Sequence, residues 1–258
     1  MRRLALLLAS AVALLAPAVA RGDKPPQAPG PGAPYRAAVI SDQPISYWRL
    51  GEQPGATIAV DERHRLPGYY VGSPTLGIAH PLNGDLDTAI DLDGLQTQAL
   101  GQFIHVPDGN HLAFSGRAPF SLEAWIFPRG FNGVTRRIFS KEGPDGGYLL
   151  GIQSTGLAFA RYAYGQWSTL RAPVDRNGWS HVLATYDGNV MDLYVNGALV
   201  ASMPSTLSLP DVRADLSIGA KQSRWRFYAG GLDDVAIYGR ALAAARAVAH
   251  TRVGEESR

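Results

Sequence analysis

The stretch YDGNVMDLYVNGALV, residues 186–200, contains two turn dipeptides with an alternating run between them. The dipeptides are Asp187-Gly188 and Asn196-Gly197, and both favour tight hairpin turns because Gly and Asn tolerate a positive φ. Between the turns every second residue from Met191 to Val195 is apolar, which is the period of a half-buried strand. The stretch therefore predicts consecutive antiparallel hairpins.

Short β-like runs separated by Gly, Pro, Asn and Asp continue along the rest of the chain. Runs at a spacing of about 8–12 residues, with turn signals between them, are typical of a β-sandwich or barrel. One helix is predicted in RALAAARAVAH, from Arg240, where small and apolar residues recur at a helical spacing. The clearest strand runs are FIHVP (103–107), FSLEAWIFP (120–128), RRIFSK (136–141), GYLLGIQ (147–153), GLAFARYAY (156–164) and WSHVLATY (179–186).

Six motifs occur in the order seen in bacterial laminin G-like domains, and the chain resembles this family over residues 35–250. The resemblance implies a jelly roll of the concanavalin A-like lectin and glucanase superfamily: an all-β, two-sheet antiparallel β-sandwich, here with a short C-terminal helix. It also implies an exported, surface-attached or multidomain bacterial protein. The motifs are YWRLGE (47–52), LDG (92–94), FSLEAWI (120–126), GWSHVLATYDG (178–188), LYVNG (193–197) and YAGGLDDVAIYGRAL (228–242).

The two ends of the chain have the composition of segments outside the domain. Residues 1–20 carry Arg2-Arg3, an apolar run and Ala-Val-Ala, which together predict a secretory signal peptide cleaved after Ala20. Residues 21–34 are nearly all Pro, Gly, Ala and charged residues, which predicts a disordered tether. Residues 251–258 are interpreted as a flexible C-terminal tail. The predicted location is secreted or extracellular, with no transmembrane segment once the signal is cleaved.

Composition excludes some classes of function. The chain has no cysteine, so an exported fold must be stable without disulfides. Without Arg2 and Arg3, the 24 Lys and Arg residues fall to 22, which matches the 22 Asp and Glu residues. A chain without net charge or a basic run has no electrostatic footprint for nucleic acid. We therefore expect no nucleic-acid partner.

No pattern of catalytic residues is evident. Related jelly-roll glucanases carry Glu-x-Asp-x-x-Glu on one strand, and none of the six glutamates of this chain lies in that pattern. Glu123 is alone in its strand and is interpreted as a structural hydrogen-bonding carboxylate. His181 alternates with apolar residues, which predicts a packed histidine, and neither Gly-x-Ser-x-Gly nor His-Glu-x-x-His occurs. The sequence therefore predicts a protein that is not an enzyme.

The resemblance implies a structural calcium ion as a candidate cofactor. In related jelly-roll glucanases and many laminin G-like domains, an Asp at the start of the last strand helps to hold Ca²⁺ with backbone carbonyls, and Asp233 matches that position. Asp61 matches an Asp-rich loop of the family, although DERHRLPG lacks the usual Ser-Gly-Asn run. Several oxygen ligands of this kind suit a hard cation. The alternative is an Asp pair that caps a strand end.

Aromatic residues at two turns are candidate ligand contacts, because the apolar face of a sugar stacks on a flat ring. In RYAYGQW, Tyr162, Tyr164 and Trp167 surround a turn at Gly165. Sandwich aromatics are more often core residues, and burial is the commoner outcome for a tryptophan such as Trp167.

The second candidate group lies in SRWRF, where Trp225 stands between Arg224 and Arg226 just before the last strand. Arginines add polar specificity because the guanidinium fork matches hydroxyls and carboxylates, so this group is slightly favoured as the ligand platform. The remaining tryptophans match recurring positions of the family and are predicted to be core: Trp48, Trp125 and Trp179.

These observations predict an exported, non-catalytic binding module that recognises glycans or a cell-surface protein. Two alternatives stay open: a polysaccharide-active glycoside hydrolase or lyase with atypical carboxylates, and a structural module of an envelope assembly. A cleft with two close carboxylates favours the enzyme. Exposed aromatics in a shallow trough favour binding, and a featureless polar surface favours the structural role.

Overall fold

The computed structural model describes residues 33–80, 82, 87–95, 101–108, 110–130, 133–221 and 225–256. Sixteen strands and two helices lie within these residues. The helices are α1, Ala33–Ser41, and α2, Ala244–Glu256. The strands are β1 Ser46–Trp48, β2 Ile58–Ala59, β3 Gly68–Val71, β4 Thr75–Ile78, β5 Ala89–Asp93, β6 Phe103–Val106, β7 Phe120–Pro128, β8 Arg136–Glu142, β9 Gly146–Gln153, β10 Gly156–Ala163, β11 Gln166–Ala172, β12 Ser180–Tyr186, β13 Val190–Val195, β14 Ala198–Pro204, β15 Leu216–Ile218 and β16 Ala229–Tyr238.

The strands form two antiparallel sheets of eight strands each. The first, sheet A, has the order β14-β13-β12-β7-β16-β5-β4, with β1 also paired to β16. The second, sheet B, has the order β11-β10-β9-β8-β15-β6-β3-β2. Neighbours that are distant in sequence, such as β7 with β16, are typical of Greek-key connections. The predicted jelly-roll β-sandwich is confirmed.

The core lies between the two sheets and follows the alternation of the sequence. In β7, Phe120, Leu122, Ala124 and Ile126 point into this core, as the period of the strand predicts. The intervening Trp125 lies on the outer face of sheet A in a second apolar cluster. Each sheet thus sends one row of side chains inward and one row outward.

The hairpins of residues 186–200 are present as predicted. Asn196 and Gly197 both have positive φ, 48° and 78°, as a two-residue turn between β13 and β14 requires. The turn at Asp187 is different: its Oδ1 accepts hydrogen bonds from the backbone N–H of Asn189 and Val190, so the side chain itself organises the turn.

The outer face of sheet A is covered by the two helices. Tyr35 of α1 and Ala247 of α2 pack on Trp125, with other apolar residues of the sheet. Helix α2 approaches so closely that a Cβ at Gly254 would lie 2.5 Å from the Trp125 ring. Only the second helix was predicted. Helix α1 begins where the sequence predicts a tether, and its apolar residues are buried by tertiary packing.

The predicted segment boundaries change at both ends. Helix α2 continues to Glu256, so residues 251–256 are helical rather than a flexible tail, and Thr251 and Gly254 are buried against the sheet. At the other end, Ala33 already belongs to α1. The predicted signal peptide, residues 1–20, and the tether up to residue 32 lie outside the described residues. Neither of the two described helices combines the length and the apolar composition that crossing a membrane requires.

Candidate functional site

A trough on the outer face of sheet B is floored by small side chains. Arg171 of β11, Ala158 of β10, Gly151 of β9 and Arg137 of β8 are successive cross-strand partners and therefore lie in one row. Strands are spaced about 4.8 Å apart, so the two arginines stand roughly 14 Å apart across two residues without long side chains. We call this cavity of about 380 Å³ the arginine trough; its lining residues also include Leu149, Ala160, Trp167, Thr169 and Arg226.

Trp167 stands at one end of the arginine trough with its ring exposed. It is 53% exposed, which corrects the expectation that a sandwich tryptophan here is core. Its cross-strand partner Tyr162 is buried and stacks on it, with ring centroids 4.4 Å apart and planes at 16°. The Tyr162 hydroxyl donates to the carbonyl of Gly143, which fixes this ring. Tyr162 therefore supports Trp167 from behind and leaves the indole available to a ligand.

A second cavity meets the first at Trp167. We call it the hydroxyl pocket; it has a volume of about 650 Å³ and lies between β11 and the segment of residues 204–210. Tyr164, at the β10–β11 turn, is 74% exposed and forms one wall. Besides Trp167, its polar lining residues are Gln166, Ser168, Ser205, Thr206 and Ser208.

A buried arginine lies beneath the hydroxyl pocket. The Arg161 guanidinium stacks 3.5 Å from the centroid of the Tyr186 ring. Its Nη1 donates to Ser205 Oγ at 3.3 Å, and Ser205 Oγ donates to Ser168 Oγ at 2.9 Å. Both hydroxyls line the pocket, so the cation orients them by donating from below. Burial lowers the pKa of Arg161 without discharging it at neutral pH.

The second predicted group divides between two environments. Trp225 is 45% exposed and lines neither cavity. Cations already flank its ring, with Lys221 Nζ at 5.1 Å and Arg226 Cζ at 4.8 Å from the centroid. Arg226 in contrast lines the arginine trough together with Trp167. The fold thus joins one member of each predicted group, which the sequence treats as separate. Arg224 lies outside the described residues.

The proposed calcium ligands are held by protein groups. Each oxygen of the buried Asp61 carboxylate accepts two backbone N–H groups, all at 2.9–3.0 Å: Tyr47 and Arg63 donate to Oδ1, and Arg65 and Leu66 donate to Oδ2. Four donors leave no lone pair directed at a cation. Asp61 therefore organises its loop and does not fit a calcium site.

Asp233 lies within β16, at a bulge, rather than at the start of the strand. Its Oδ2 is 3.5 Å from His80 Nδ1, and its Oδ1 accepts the backbone N–H of Asp234. Burial raises the pKa of Asp234 well above its usual range, and the charge of Asp233 adds to that shift. Arg49 reaches this cluster, with Nε 3.9 Å from Asp234 Oδ1. A guanidinium already neutralises part of the charge that a calcium ion would balance.

One cluster of potential metal ligands occurs among the described residues, and it consists of Glu123, His181 and His250. The Glu123 Oε1 atom lies 2.6 Å from His181 Nε2 and 2.7 Å from His250 Nδ1. Two ligands of a tetrahedral zinc with bonds of about 2.0–2.1 Å stand farther apart, at roughly 3.3 Å. The distances are those of direct hydrogen bonds. The predictions of a structural Glu123 and a packed His181 agree with this geometry.

Neither cavity is lined by an Asp or Glu among the residues that the structure describes. Glu142, which pairs with Arg137 of the trough, is buried and is also held by Ser140 and Lys221. Burial alone would raise the pKa of Glu142, but the hydrogen bonds and charge of Arg137 lower it.

Of the three tryptophans predicted to be core, Trp48 and Trp125 are buried, whereas Trp179 is half-buried.

Comparison with known proteins places the chain in a structural class. The family model described as the concanavalin A-like lectin/glucanases superfamily matches residues 98–247. No curated protein sequence matches the chain. Domain 4 of AbnA, a GH43 extracellular arabinanase from Geobacillus stearothermophilus solved with arabinotriose, has a TM-score of 0.59 and 18% identity. That alignment covers 81% of this chain and 98% of the arabinanase domain.

Two other similar structures are longer than this chain. A structure of botulinum neurotoxin type C, whose cell entry depends on two ganglioside molecules, has a TM-score of 0.64 and 14% identity, and covers 86% of this chain and 53% of that one. Trypanosoma rangeli sialidase in complex with the inhibitor DANA has a TM-score of 0.57 and 14% identity, with coverages of 81% and 32%. The chain thus spans about half of the toxin structure and a third of the sialidase. These likenesses show the jelly-roll fold.

Proposed function

The chain belongs to the concanavalin A-like lectin/glucanase superfamily, and from this premise we propose that it is a non-catalytic module that binds glycans at Trp167. Several of its structural neighbours are binding domains, among them an arabinanase domain solved with arabinotriose and a toxin binding domain. The proposal depends on one observation: an exposed indole, stacked on Tyr162, stands where the arginine trough on the outer face of sheet B meets the hydroxyl pocket at the sheet's edge.

The environment of Trp167 suits a sugar. A pyranose presents an apolar C–H face and a rim of hydroxyls, so it is bound by a flat ring together with polar groups at the edge. Trp167 supplies the ring, and Tyr164 supplies a second exposed aromatic wall. The oriented hydroxyls of Ser168 and Ser205 supply polar contacts. A neutral sugar residue stacked on Trp167 therefore has partners for both of its surfaces in the hydroxyl pocket.

The same site lacks the groups that glycan cleavage needs. A retaining hydrolase requires two carboxyl groups about 5–5.5 Å apart, and the described lining residues of both cavities include no carboxylate. A lyase requires a base near neutral pH. Burial raises the pKa of Tyr162 to about 12, so its hydroxyl is no such base. These features favour binding over the hydrolase and lyase alternatives.

Export and the nature of the partner belong to the same proposal. The signal-peptide pattern of residues 1–20 supports an extracellular location, where the partner would be a glycan or a glycosylated cell-surface protein. N-terminal sequencing of the product released to the medium checks this part, because it should begin near Arg21.

For a structural calcium ion, Asp233 is the one candidate ligand that is left of the two predicted from the sequence. If calcium binds there, it should raise the melting temperature relative to chelator, and Asp233→Ala should remove that gain.

The binding proposal is tested by Trp167→Ala, with Trp225→Ala as the matched control. The two tryptophans are exposed to similar extents, but only Trp167 lines the cavities. On an array of neutral and acidic oligosaccharides that includes arabinotriose, Trp167→Ala should weaken binding by about tenfold, the scale of a lost aromatic contact. Trp225→Ala should bind the neutral oligosaccharides as the wild type does. Both variants should keep their melting temperature, since neither ring is core.

Three results would contradict the proposal. If the wild type binds no oligosaccharide, the module does not recognise glycans in this form. If Trp225→Ala loses affinity and Trp167→Ala does not, the platform lies at Trp225. If Trp167→Ala unfolds the protein, the ring has a structural role.

A further inference from the structure

Three arginines converge on the trough from opposite sides. Arg171 comes from the edge strand β11, Arg137 from β8, and Arg226 from the segment that follows β15. The floor between them stays low because a Cβ at Gly151 would lie only 2.4 Å from the carbonyl oxygen of Arg136. The trough therefore cannot fill with a side chain at this position, and Arg171 and Arg226 line a space on either side of the buried Arg137.

Arg226 is held in place by its backbone. Its φ is 59°, in the left-handed region that non-glycine residues seldom occupy. Its carbonyl accepts a hydrogen bond of 2.9 Å from the backbone N–H of Arg137, which fastens the segment to β8. A strained conformation of this kind persists where the surroundings fix it. The side chain that leaves this backbone lines the trough, with Cζ 4.8 Å from the centroid of the Trp225 ring.

The positive charge of the trough is only partly balanced. Arg137 forms a two-point ion pair with Glu142, which is itself also bonded by Lys221. Within the described part of the chain, Arg171 and Arg226 form no ion pair, and the Nε atom of Arg226 has no hydrogen-bond acceptor. Burial lowers the pKa of Arg226, and the nearby charge of Arg137 lowers it further. This local excess contrasts with the near balance of charges in the chain as a whole.

From this geometry we infer that the arginine trough binds a sugar carboxylate, next to the sugar residue that stacks on Trp167. The inference rests on the proposed function and names the class of ligand: an acidic oligosaccharide with a uronic or similar acid. Planar guanidinium groups match a carboxylate with two parallel hydrogen bonds. Arg171 and Arg226, which form no ion pair with any described residue, are the groups that would bind it, while the Arg137–Glu142 pair keeps its own contact. Thr169 adds a hydroxyl on the same row as Ala160.

The test compares Arg171→Gln/Arg226→Gln with Arg252→Gln. The control removes the same type of charge from an exposed site on α2, on the other sheet's side. The probes are trigalacturonate, hyaluronan tetrasaccharide and sialyllactose, each beside its methyl ester, which removes the charge and keeps the sugar. Sulfated and neutral oligosaccharides complete the set. Binding is measured at low and at physiological ionic strength, because contacts between exposed charges weaken with salt.

We expect the wild type to bind at least one carboxylated probe tenfold or more tightly than its ester, the scale of a lost charge-assisted hydrogen bond. The double variant should bind that acid and its ester alike, and the control should behave as the wild type. Equal affinity of the wild type for every acid and its ester would overturn the inference. So would an unchanged double variant, or a preference confined to sulfated probes.

These failures differ from a failure of glycan binding itself. If neutral oligosaccharides still bind, and still require Trp167, the proposed function stands while the acidic specificity is lost. If no oligosaccharide binds, both fail together. Melting curves of the double variant accompany the affinities. Arg171 is exposed, and neither arginine forms an ion pair with a described residue, so stability should change little.

Discussion

Glu123→Gln should lower the free energy of unfolding by about 3–5 kcal/mol, the cost of removing one partner from a buried charged network. Glu123 is completely buried between sheet A and the two helices. Its Oε1 accepts from His181 and His250, and its Oε2 accepts from the Tyr238 hydroxyl. A neutral amide keeps the shape of the side chain but removes the negative charge to which the two histidines donate.

The network joins both helices to the sheet. His250 of α2 also contacts Asp42, with Nε2 and Oδ2 2.9 Å apart, and Asp42 in turn bonds Arg246 Nε at 2.5 Å. Asp42 follows α1 directly. The Glu123 carboxylate is therefore the point at which β7, α1 and α2 are held together, and its loss should loosen both helices.

Urea unfolding followed by tryptophan fluorescence measures this cost, with Glu256→Gln as the control. Glu256 is exposed and pairs with Arg252 at 3.5 Å on the helix surface, so its change should stay within about 0.5 kcal/mol. A Glu123→Gln variant as stable as this control would mean that the network contributes nothing to stability.

The same network predicts a pH optimum of stability. Burial alone would lower the pKa of His250, but Glu123 and Asp42 raise it above its ordinary value. Burial alone would raise the pKa of Glu123, but His250 and His181 lower it well below its usual range. The contribution of His250 to the free energy of unfolding is complete below about pH 6.5, and it is lost as the pH rises through the pKa of His250 in the folded protein. The contribution of Glu123 is complete above about pH 4.3, and it is lost as the pH falls through the pKa of Glu123 in the folded protein.

Stability should therefore be highest between these two values and decline on both sides. His250→Gln should flatten the decline on the alkaline side and leave the acid side, which depends on Glu123 and other carboxylates, in place. Unfolding free energies at a series of pH values check this. If the unfolding free energy of His250→Gln falls at alkaline pH as steeply as that of the wild type, the titration of other groups causes the fall.

The strands were predictable because their signals are local. Alternation in FSLEAWIF and the Asn196-Gly197 turn depend on neighbouring residues, and the structure follows them. Helix α1 was not predictable in this way. Its sequence, APYRAAVIS, follows a Pro/Gly-rich segment and has no capping signal, and its stability comes from packing Tyr35 and Val39 on a distant sheet.

The candidate site was predictable only in part, for the same reason. Trp167 and Arg226 were both identified as candidates, but they lie 59 positions apart and share a cavity only through the order of the strands. Arg137 and Arg171 carried no signal, since single arginines in strands usually indicate a solvated face. Their common row depends on the register of three consecutive hairpins, which the turns set, and on a bulge between Arg137 and Phe139 that the alternation does not reveal.

Lys141→Met should also lower the free energy of unfolding by about 3–5 kcal/mol, because it leaves a buried carboxylate without its partner. Lys141 and Asp108 are both fully buried in their side chains. The Lys141 Nζ atom lies 2.7 Å from Asp108 Oδ1, 2.6 Å from Asp108 Oδ2 and 2.5 Å from the carbonyl oxygen of Ala214. The ammonium thus joins β8, the segment after β6 and the segment before β15.

The double variant Lys141→Met/Asp108→Leu separates two quantities: the net contribution of the ion pair to stability, and the cost of leaving one buried charge without its partner. Burial raises the pKa of Asp108 even though the hydrogen bonds and charge of Lys141 lower it. Attraction between the two groups therefore does not fully offset their removal from water, and apolar replacements of similar volume should recover most of the loss. Since each single variant leaves the other charge buried without its partner and the double variant does not, a double-mutant cycle in urea should give a coupling of about 3 kcal/mol or more. If the double variant is as unstable as the sum of the single variants, the two groups act independently, and the ion pair is not what holds these segments together.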